Sequence, residues 1–446
     1  MKSQWSSRFT FIMATTGAAV GLGNIWKFPY MAGENGGGLF VLFYLIAVAL
    51  IGIPTMMAEI LIGRLGRHNP VNTLELVATH AGKTPQWKLL GWWGALGLVL
   101  VLSFYSVIAG WSIGYLLKAW FGEFNGLSAH QVQVLWQHFL SNPYTLILWH
   151  TLFMSITLWV VARGVKQGLE RAANIMMPGL FFVLIILLIY SIFVGDFKAA
   201  FNFLLMPNFK EISASALIYA LGHAFFTLAI GAGAMLVYGA YLPKDTKLGS
   251  SVCIIAALDV LVALFSGLAI FSLVFKYGLP PEGGPGLMFK VLPIAFAQMP
   301  AGQWFGGLFF LLLWFAAWTS SISMAEPLVV LLVERRGLTR NRASFLIGLL
   351  CWFLGLFALL SFNAWENIRI LGFTIFEVMA DTTTNIILPI GGILFAYFAG
   401  WVIAPKDAKH GLLMENPFLF KLWQWLVRYL APIGILFSFI YGLWPF

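Results

Sequence analysis

The chain contains little charge and almost no cysteine. Only 10% of its 446 residues are Asp, Glu, Lys or Arg, whereas soluble domains average about 25%, so the chain cannot build an ordinary polar surface. Its two cysteines, Cys253 and Cys351, fall within separate apolar segments. We therefore expect both to be small packing residues and not a disulfide.

Sequence patterns of common enzymes and pumps are also missing. The chain has no CxxC or HExxH pattern, no Walker-type phosphate loop and no GxSxG elbow. ATP-driven pumping and the common membrane hydrolases therefore lack local support. We predict that the protein is not an enzyme and uses no organic cofactor.

Apolar residues dominate the composition, at 60% of the chain with a mean hydropathy of +0.88. Runs of about 20 apolar residues are long enough to span a bilayer as helices. The sequence therefore predicts an all-α polytopic membrane protein with about eleven transmembrane helices. The predicted spans are 8–32, 39–63, 89–118, 145–162, 172–195, 214–241, 248–275, 303–333, 343–362, 368–403 and 421–444.

The formal net charge of +9 follows the connections between these spans. Most of the 26 Lys and Arg residues lie on one side, which the positive-inside rule assigns to the cytoplasm. The N-terminus is then cytoplasmic and, with eleven spans, the C-terminus lies outside. We predict a multi-pass protein of the plasma membrane, the inner membrane of a bacterium, with the lipid bilayer and not nucleic acid as its partner.

Two predicted spans contain glycine clusters that weaken a helix. The first has three glycines between Gly17 and Gly23, followed by Asn24; the sixth has Gly231 and Gly233 after Thr227. Backbone groups freed inside a membrane must line a protein-enclosed cavity. Glycine also serves close helix packing, but two clusters five spans apart favour an inverted repeat with a binding site at its interface. We predict one domain, 1–446, with repeats at about 8–195 and 214–403 and an extra helix at about 421–444.

Several segments resemble the neurotransmitter:sodium symporter family. They are residues 17–30, 34–38, 54–64, Trp111, 227–233 and 319–321. The likeness is to bacterial amino-acid members such as the leucine transporter, and in particular to a shorter subgroup with eleven helices. It implies an inverted repeat of helices 1–5 and 6–10 in which helices 1 and 6 are broken.

The resemblance implies two sodium sites made of oxygen ligands. The first would use the carbonyls of Ala19 and Thr227 with the side chains of Asn24, Thr227 and Asp259. The second would use the carbonyls of Gly17, Val20 and Ala316 with the hydroxyls of Thr319 and Ser320. An ordinary alternative for Thr319 and Ser320 is hydrogen bonding back to the preceding helical turn.

Asp259 departs from the family, which more often has asparagine at this position. A buried carboxylate needs a cation beside it, and its fixed negative charge would repel chloride. In chloride-dependent relatives, hydroxyl and amide side chains bind the anion. The matching positions here are Tyr44, His223, Thr227 and Ala263, and only Tyr44 and Thr227 keep a suitable hydroxyl. We therefore predict chloride independence. A carboxylate paired with His223 is the alternative.

The resemblance also implies a pocket for a zwitterion, since the position of Gly21 carries no acid to meet a ligand amine. Amides near Leu22 and Gly23 and the Tyr105 hydroxyl would hold the ligand carboxylate. A small Ala232 and a flexible Met324 predict a roomy pocket for large hydrophobic amino acids, aromatic ones included. The implied substrate-binding residues are Ala19, Leu22, Gly23, Val101, Tyr105, Phe226, Thr227, Ala229, Ala232, Ser320 and Met324.

Gates are implied on both sides of this pocket. Phe226 and Tyr105 would form the outer lid below Lys27, whose acidic partner is left open between Glu377 and Asp381. The inner network would contain Lys2, Trp5, Tyr241 and Glu334, although Lys2 and Glu334 also fit solvated charges at helix ends. Glu59, an acid within the membrane, would bond the exposed backbone of the broken helices, and Glu326 has no assigned role.

These features predict a sodium-coupled secondary symporter that imports large hydrophobic L-amino acids by alternating access. The competing prediction is a membrane sensor of the same fold that binds an amino acid without transporting it. The preferred amino acid, proton countertransport and the oligomeric state stay open at this point.

Overall fold

The computed structural model describes residues 4–209, 214–279 and 286–443. Within these ranges the only β pairing is an isolated bridge between Ile370 and Phe373. The helices, in chain order, are α1 (Arg8–Ala19), α2 (Gly23–Glu34), α3 (Gly38–Gly66), α4 (Pro70–His80), α5 (Pro85–Trp120), α6 (Ala129–Ser141), α7 (Pro143–Ala162), α8 (Val165–Val194), α9 (Phe197–Leu205), α10 (Ala214–Thr227), α11 (Ala234–Ala240), α12 (Leu248–Lys276), α13 (Leu287–Gln298), α14 (Gly302–Arg336), α15 (Arg340–Leu360), α16 (Ile375–Val402), α17 (Pro405–Leu412) and α18 (Pro417–Gly442).

Among the described residues, nine helices are long and apolar enough to cross a membrane: α3, α5, α7, α8, α12, α14, α15, α16 and α18. Helices α1 and α2 meet the same criteria as a pair bent by 53°. The sixth predicted span consists of α10 and α11, which flank a non-helical segment at residues 228–233. The predicted all-α membrane fold, with breaks in the first and sixth spans, is therefore confirmed.

Two helix starts differ most from the prediction. Helix α8 begins at Val165 rather than at residue 172, because its polar first turn is helical although it is not apolar. Helix α16 begins at Ile375 rather than at residue 368. Leu371 and Gly372 there have positive φ angles of 53° and 90°, which make a turn, and Thr374 then caps the helix.

The interior brings the broken helices against long straight ones. Helix α14 packs along α5 and against α1, while α11 packs on α3. The buried face of α14 is unusually polar for a membrane helix, since Thr319, Ser320, Ser321 and Ser323 are all buried. This packing places Thr319 and Ser320 beside the end of α1.

Candidate functional site

The break between α1 and α2 exposes helix-end backbone groups. Helix α1 ends at Ala19, and Val20 has extended backbone angles, φ −66° and ψ 112°. The Asn24 side chain then stabilises the turn, because its Oδ1 accepts the Gly21 N–H at 3.0 Å. The last carbonyls of α1 have no further helical turn to bond and are free for other partners.

The break between α10 and α11 depends on positive φ angles. Ala229, Gly231 and Gly233 have φ values of 52°, 99° and 76°, a region that glycine adopts readily. The Gly231 N–H donates to Oε1 of the buried Glu59 at 2.6 Å. Glu59 therefore supports the broken backbone, as the sequence predicts.

The first predicted sodium site brings Asn24, Thr227 and Asp259 into direct contact. Asn24 Nδ2 donates to Asp259 Oδ1 at 2.8 Å and to Thr227 Oγ1 at 2.9 Å. Thr227 Oγ1 donates to Asp259 Oδ2 at 3.0 Å, and the Tyr44 hydroxyl donates to the same oxygen at 3.4 Å. All four side chains are at most 1% exposed, so the carboxylate lies in a water-excluded cluster.

His223 is not the partner of this carboxylate. It packs against the Tyr44 ring at a centroid distance of 5.3 Å. Both of its ring nitrogens are buried and have no hydrogen-bond partner within the described part of the chain. The alternative in which Asp259 pairs with His223 is therefore wrong.

The second predicted sodium site joins α14 to the end of α1. Ser320 Oγ donates to the Val20 carbonyl at 3.0 Å and lies 3.4 Å from the Gly17 carbonyl. Thr319 Oγ1 instead bonds back to the Phe315 and Ala316 carbonyls, both at 3.1 Å. The back-bonding alternative thus describes Thr319, whereas Ser320 reaches across to another helix.

Both clusters consist of the ligands that sodium prefers. Hard cations bind carboxylate, carbonyl, hydroxyl and amide oxygens. The first cluster supplies a carboxylate with a hydroxyl and an amide, and the second supplies carbonyls with hydroxyls. Neutral oxygens with at most one carboxylate suit a monovalent cation, because each cluster contributes little negative charge.

A cavity is enclosed by the two broken spans, α1/α2 and α10/α11, together with the unbroken helices α5 and α14. Its solvent-accessible volume is about 70 Å³, of which one water occupies about 10–15 Å³. Several waters therefore fit into this cavity. The lining residues are Ala18, Ala19, Gly21, Gly23, Leu98, Val101, Tyr105, Phe226, Thr227, Ala229, Ile230, Ala232, Ala234, Ser320, Met324 and Leu388.

All of the predicted substrate-binding residues line this cavity except Leu22. The Leu22 N–H instead donates to the Tyr105 hydroxyl at 3.1 Å. Sequence reasoning missed Ala18, Leu98, Ile230, Ala234 and Leu388, of which Leu98 and Leu388 lie away from the helix breaks. Leu98 lies on the same face of α5 as Val101 and Tyr105, so helical periodicity contained that signal, but nothing local to Leu388 indicated its position.

Phe226 separates this cavity from a second one on the predicted outer side. The second cavity has a solvent-accessible volume of about 200 Å³ and is lined by residues that include Lys27, Phe226 and Leu388. Lys27 Nζ lies 4.3 Å from the centre of the Phe226 ring. Neither candidate acid forms an ion pair with Lys27 within 4 Å in the described part of the chain. Glu377 bonds Thr374 and lies 3.6 Å from Arg369, which leaves Asp381 as the acid available to Lys27.

The predicted inner network contains Trp5 and Tyr241 but a different acid. The Trp5 indole N–H donates to the Tyr238 carbonyl at 3.1 Å, and its backbone N–H donates to the Tyr241 carbonyl at 3.0 Å. The Tyr241 hydroxyl donates to Glu326 Oε1 at 2.5 Å, and Arg340 forms an ion pair with the same carboxylate. Sequence reasoning missed this role of Glu326, although its position within the membrane was a signal.

Glu334 is placed elsewhere. Its Oε2 accepts the backbone and side-chain N–H groups of Asn69 at 2.8 and 2.7 Å and lies 3.5 Å from His68 Nδ1. The direction of α14 explains this, because Glu334 lies about two helical turns beyond Glu326 and beside the start of α4. Lys2, the remaining member of the predicted network, lies outside the described residues.

Comparisons with known proteins agree with this architecture. The sequence profile of the sodium:neurotransmitter symporter family matches residues 2–138 and 130–446. An uncharacterized sodium-dependent transporter of Bacillus subtilis (strain 168), YhdH, is 37% identical over 98% of this chain and 97% of its own length. Another, from Haemophilus influenzae, is 33% identical over 99% and 98%. The crystal structure of MhsT in complex with L-phenylalanine covers 99% of this chain and 100% of that one, with 39% identity and a TM-score of 0.91.

Proposed function

Because the chain belongs to the sodium:neurotransmitter symporter family, we propose that it imports large hydrophobic L-amino acids, aromatic ones included, together with two sodium ions. The observation that carries this proposal is the apolar cavity bordered by two clusters of oxygen ligands. A sensor that binds an amino acid without transporting it has no support, since both clusters retain their ligand residues.

The surroundings of Gly21 support a zwitterionic substrate. A Cβ at this position would lie 2.6 Å from Ser320 Oγ and 2.9 Å from the Tyr105 hydroxyl. No acidic side chain fits there to bind a lone amine. The ligand amine then meets backbone carbonyls of the broken helices, and the ligand carboxylate lies toward the first sodium site and the Tyr105 hydroxyl.

The apolar end of the cavity supports a large side chain. Val101, Phe226, Ala232 and Met324 line it and have apolar side chains, and the side chain of Ala232 is a single methyl group. The related MhsT has been crystallised with L-phenylalanine. A difference of one methylene in such a pocket changes binding by about 1–3 kcal/mol, so we expect broad selectivity among large hydrophobic amino acids.

The two clusters support a coupling of sodium binding to substrate binding. Asn24 and Thr227 belong to different broken helices, and Asp259 comes from α12. Ser320 likewise joins α14 to the end of α1. A cation bound at either cluster holds separate elements together around the cavity, so sodium stabilises the closed arrangement that encloses the amino acid.

The hydrogen bonds of Asp259 support chloride independence. Its carboxylate accepts from the Tyr44 and Thr227 hydroxyls, the two groups at the family's chloride position that this chain keeps. An anion would have to displace the carboxylate from both. The carboxylate therefore provides in fixed form the negative charge that dependent relatives take from solution.

Alternating access requires a closure on each side of the cavity. We assign Phe226, Tyr105, Lys27 and Asp381 to the outer closure, and Trp5, Tyr241, Glu326 and Arg340 to the inner one. The basic connections support an inner closure that faces the cytoplasm, with the C-terminus outside the cell.

Uptake into proteoliposomes tests the function. Radiolabelled phenylalanine, tryptophan and leucine should accumulate under an inward sodium gradient, and uptake should collapse when choline replaces sodium. Undiminished uptake in sodium-free vesicles that carry a proton gradient would refute sodium coupling. High-affinity binding without accumulation under any gradient would instead favour the sensor.

Ala232→Phe is expected to reduce the cavity and change the order of preference. Tryptophan binding should weaken by roughly 10- to 100-fold, since overpacking costs about 1–3 kcal/mol, while leucine binding should change much less. Competition against radiolabelled leucine measures both. Ala232→Val serves as a graded control with an intermediate shift, and an unchanged ranking in the Phe variant would show that Ala232 does not set the pocket size.

A further inference from the structure

A groove lies on the outside of the molecule where α7 meets α8, away from the transport cavity. Its floor is apolar and is formed by Trp159, Ala172, Ile175, Met176 and Trp318. Its solvent-accessible volume is about 280 Å³, which is larger than the 70 Å³ of the central cavity. Trp159 and Ile175 are 56% and 63% exposed, so in a membrane the groove opens sideways toward lipid.

Three basic residues form the rim of this groove at its predicted cytoplasmic end. Arg163, Lys166 and Arg171 are exposed and border an open basin that continues the groove. Among the residues that the structure describes, no carboxylate lies within 4 Å of any of these cations. The nearby Glu170 is only 8% exposed, and its Oε2 accepts the Ser6 N–H at 3.2 Å.

Two aromatic residues connect the basic rim to the apolar floor. The Arg163 guanidinium lies over the Trp159 ring at 3.6 Å, which holds its charge directly above the cleft. Deeper in the groove, the indole N–H of Trp318 is buried and has no hydrogen-bond partner within the described ranges. Because this N–H has almost no accessible surface, Trp318 lines the groove with the carbon atoms of its ring.

We propose that this groove binds one anionic phospholipid of the cytoplasmic leaflet. The headgroup phosphate contacts Arg163, Lys166 and Arg171, and one acyl chain lies in the cleft along Ile175 and Met176. The ester region then lies between the basic rim and the apolar floor. The groove combines a positively charged rim, an apolar floor and an opening toward the bilayer. An anionic phospholipid matches all three features, whereas a soluble anion matches only the charged rim.

The location gives this lipid a route to influence transport. Trp318 immediately precedes Thr319 and Ser320 on α14. The side of α14 that faces the groove therefore backs the second sodium site. An acyl chain packed against Trp318 stabilises the position of α14 from outside the bundle.

Native mass spectrometry of the full chain, titrated with phosphatidylglycerol in detergent, tests the proposal. The triple variant Arg163→Gln, Lys166→Gln, Arg171→Gln should bind the first phosphatidylglycerol about a hundredfold more weakly, since each basic residue near a membrane surface contributes about 1 kcal/mol. The matched control Arg342→Gln, Lys406→Gln, Lys409→Gln removes the same charge from exposed residues elsewhere and should bind as the wild type does. Equal losses in both variants would overturn the site.

The apolar part has its own test. Ala172→Phe, which fills the cleft and leaves all three cations, should also weaken phosphatidylglycerol binding, and wild-type affinity in this variant would overturn the assignment of the acyl chain. Glycerophosphoglycerol, the headgroup without chains, should not compete, and effective competition would reduce the site to a soluble-anion site.

A measurement on the wild type guards against misfolded variants. Phosphatidylglycerol with a photoreactive group near the ester end of one chain should label peptides that contain Trp159 or Ile175. Labelling spread evenly over the lipid-facing helices would refute the proposal.

Discussion

Ser320→Ala is expected to reduce the apparent sodium affinity of transport by roughly 10- to 100-fold. The Ser320 hydroxyl is the group of α14 that reaches the Val20 and Gly17 carbonyls, and hydrogen bonds or ligands to a charge contribute about 1.5–3 kcal/mol. The loss should appear as a shift of the sodium dependence of uptake to higher concentration. Adding Thr319→Ala should deepen it.

Ser321→Ala provides a matched control on the neighbouring residue. Ser321 is buried in the same helix, but its hydroxyl bonds back to the Ala317 carbonyl at 3.0 Å. We expect its sodium dependence to match that of the wild type. If both serine variants shift alike, the effect reflects α14 as a whole and not a sodium ligand.

Asp259→Asn should have a still larger effect and should also report on chloride. The substitution keeps the shape of the side chain but removes the one carboxylate of the first cluster, and the loss of a buried charge partner costs about 2–5 kcal/mol. Sodium affinity should fall by roughly a hundredfold or more. Wild-type uptake should survive full replacement of chloride by gluconate.

The chloride dependence of the two proteins distinguishes the possible outcomes. External chloride is expected to restore the Asp259→Asn variant only partly, since Ala263 provides no hydroxyl for an anion. Asp196→Asn, at the exposed start of α9, controls for the general effect of removing an acid. A wild-type rate that rises steeply with chloride would contradict the role given to Asp259.

The spans and both helix breaks could be predicted from the sequence because lipid restricts the chain to helices. Runs such as 248–275 then have one available structure, and Leu248–Lys276 matches it closely. Glycine at 231 and 233 marks the second break because its positive φ angles are local requirements. Residues of the candidate site that lie next to these breaks, such as Asn24 and Thr227, could therefore also be predicted from the sequence.

The rest depends on contacts between distant segments. Glu326 and Glu334 are two acids on one helix, and only the positions of Arg340 and Asn69 determine which of them joins the inner closure. Leu388 reaches the cavity through the packing of α16, which no local pattern encodes. The start of α8 was missed because its polar first turn is held by helical bonding and not by hydropathy.

Helix α1 connects the proposed inner closure to the second predicted sodium site. Its 12 residues form a rod of about 18 Å, clamped before its first turn by Trp5 on Tyr238 and Tyr241 and after its last turn by Ser320 on Val20. A stiff rod cannot swing away at one end and keep its alignment at the other. If Trp5 withdraws when the proposed inner closure opens, we expect the Gly17 and Val20 carbonyls to move away from Ser320 in the same step. In the proposed transport cycle, the rigidity of this short helix would therefore couple release of the second sodium site to opening of the inner closure.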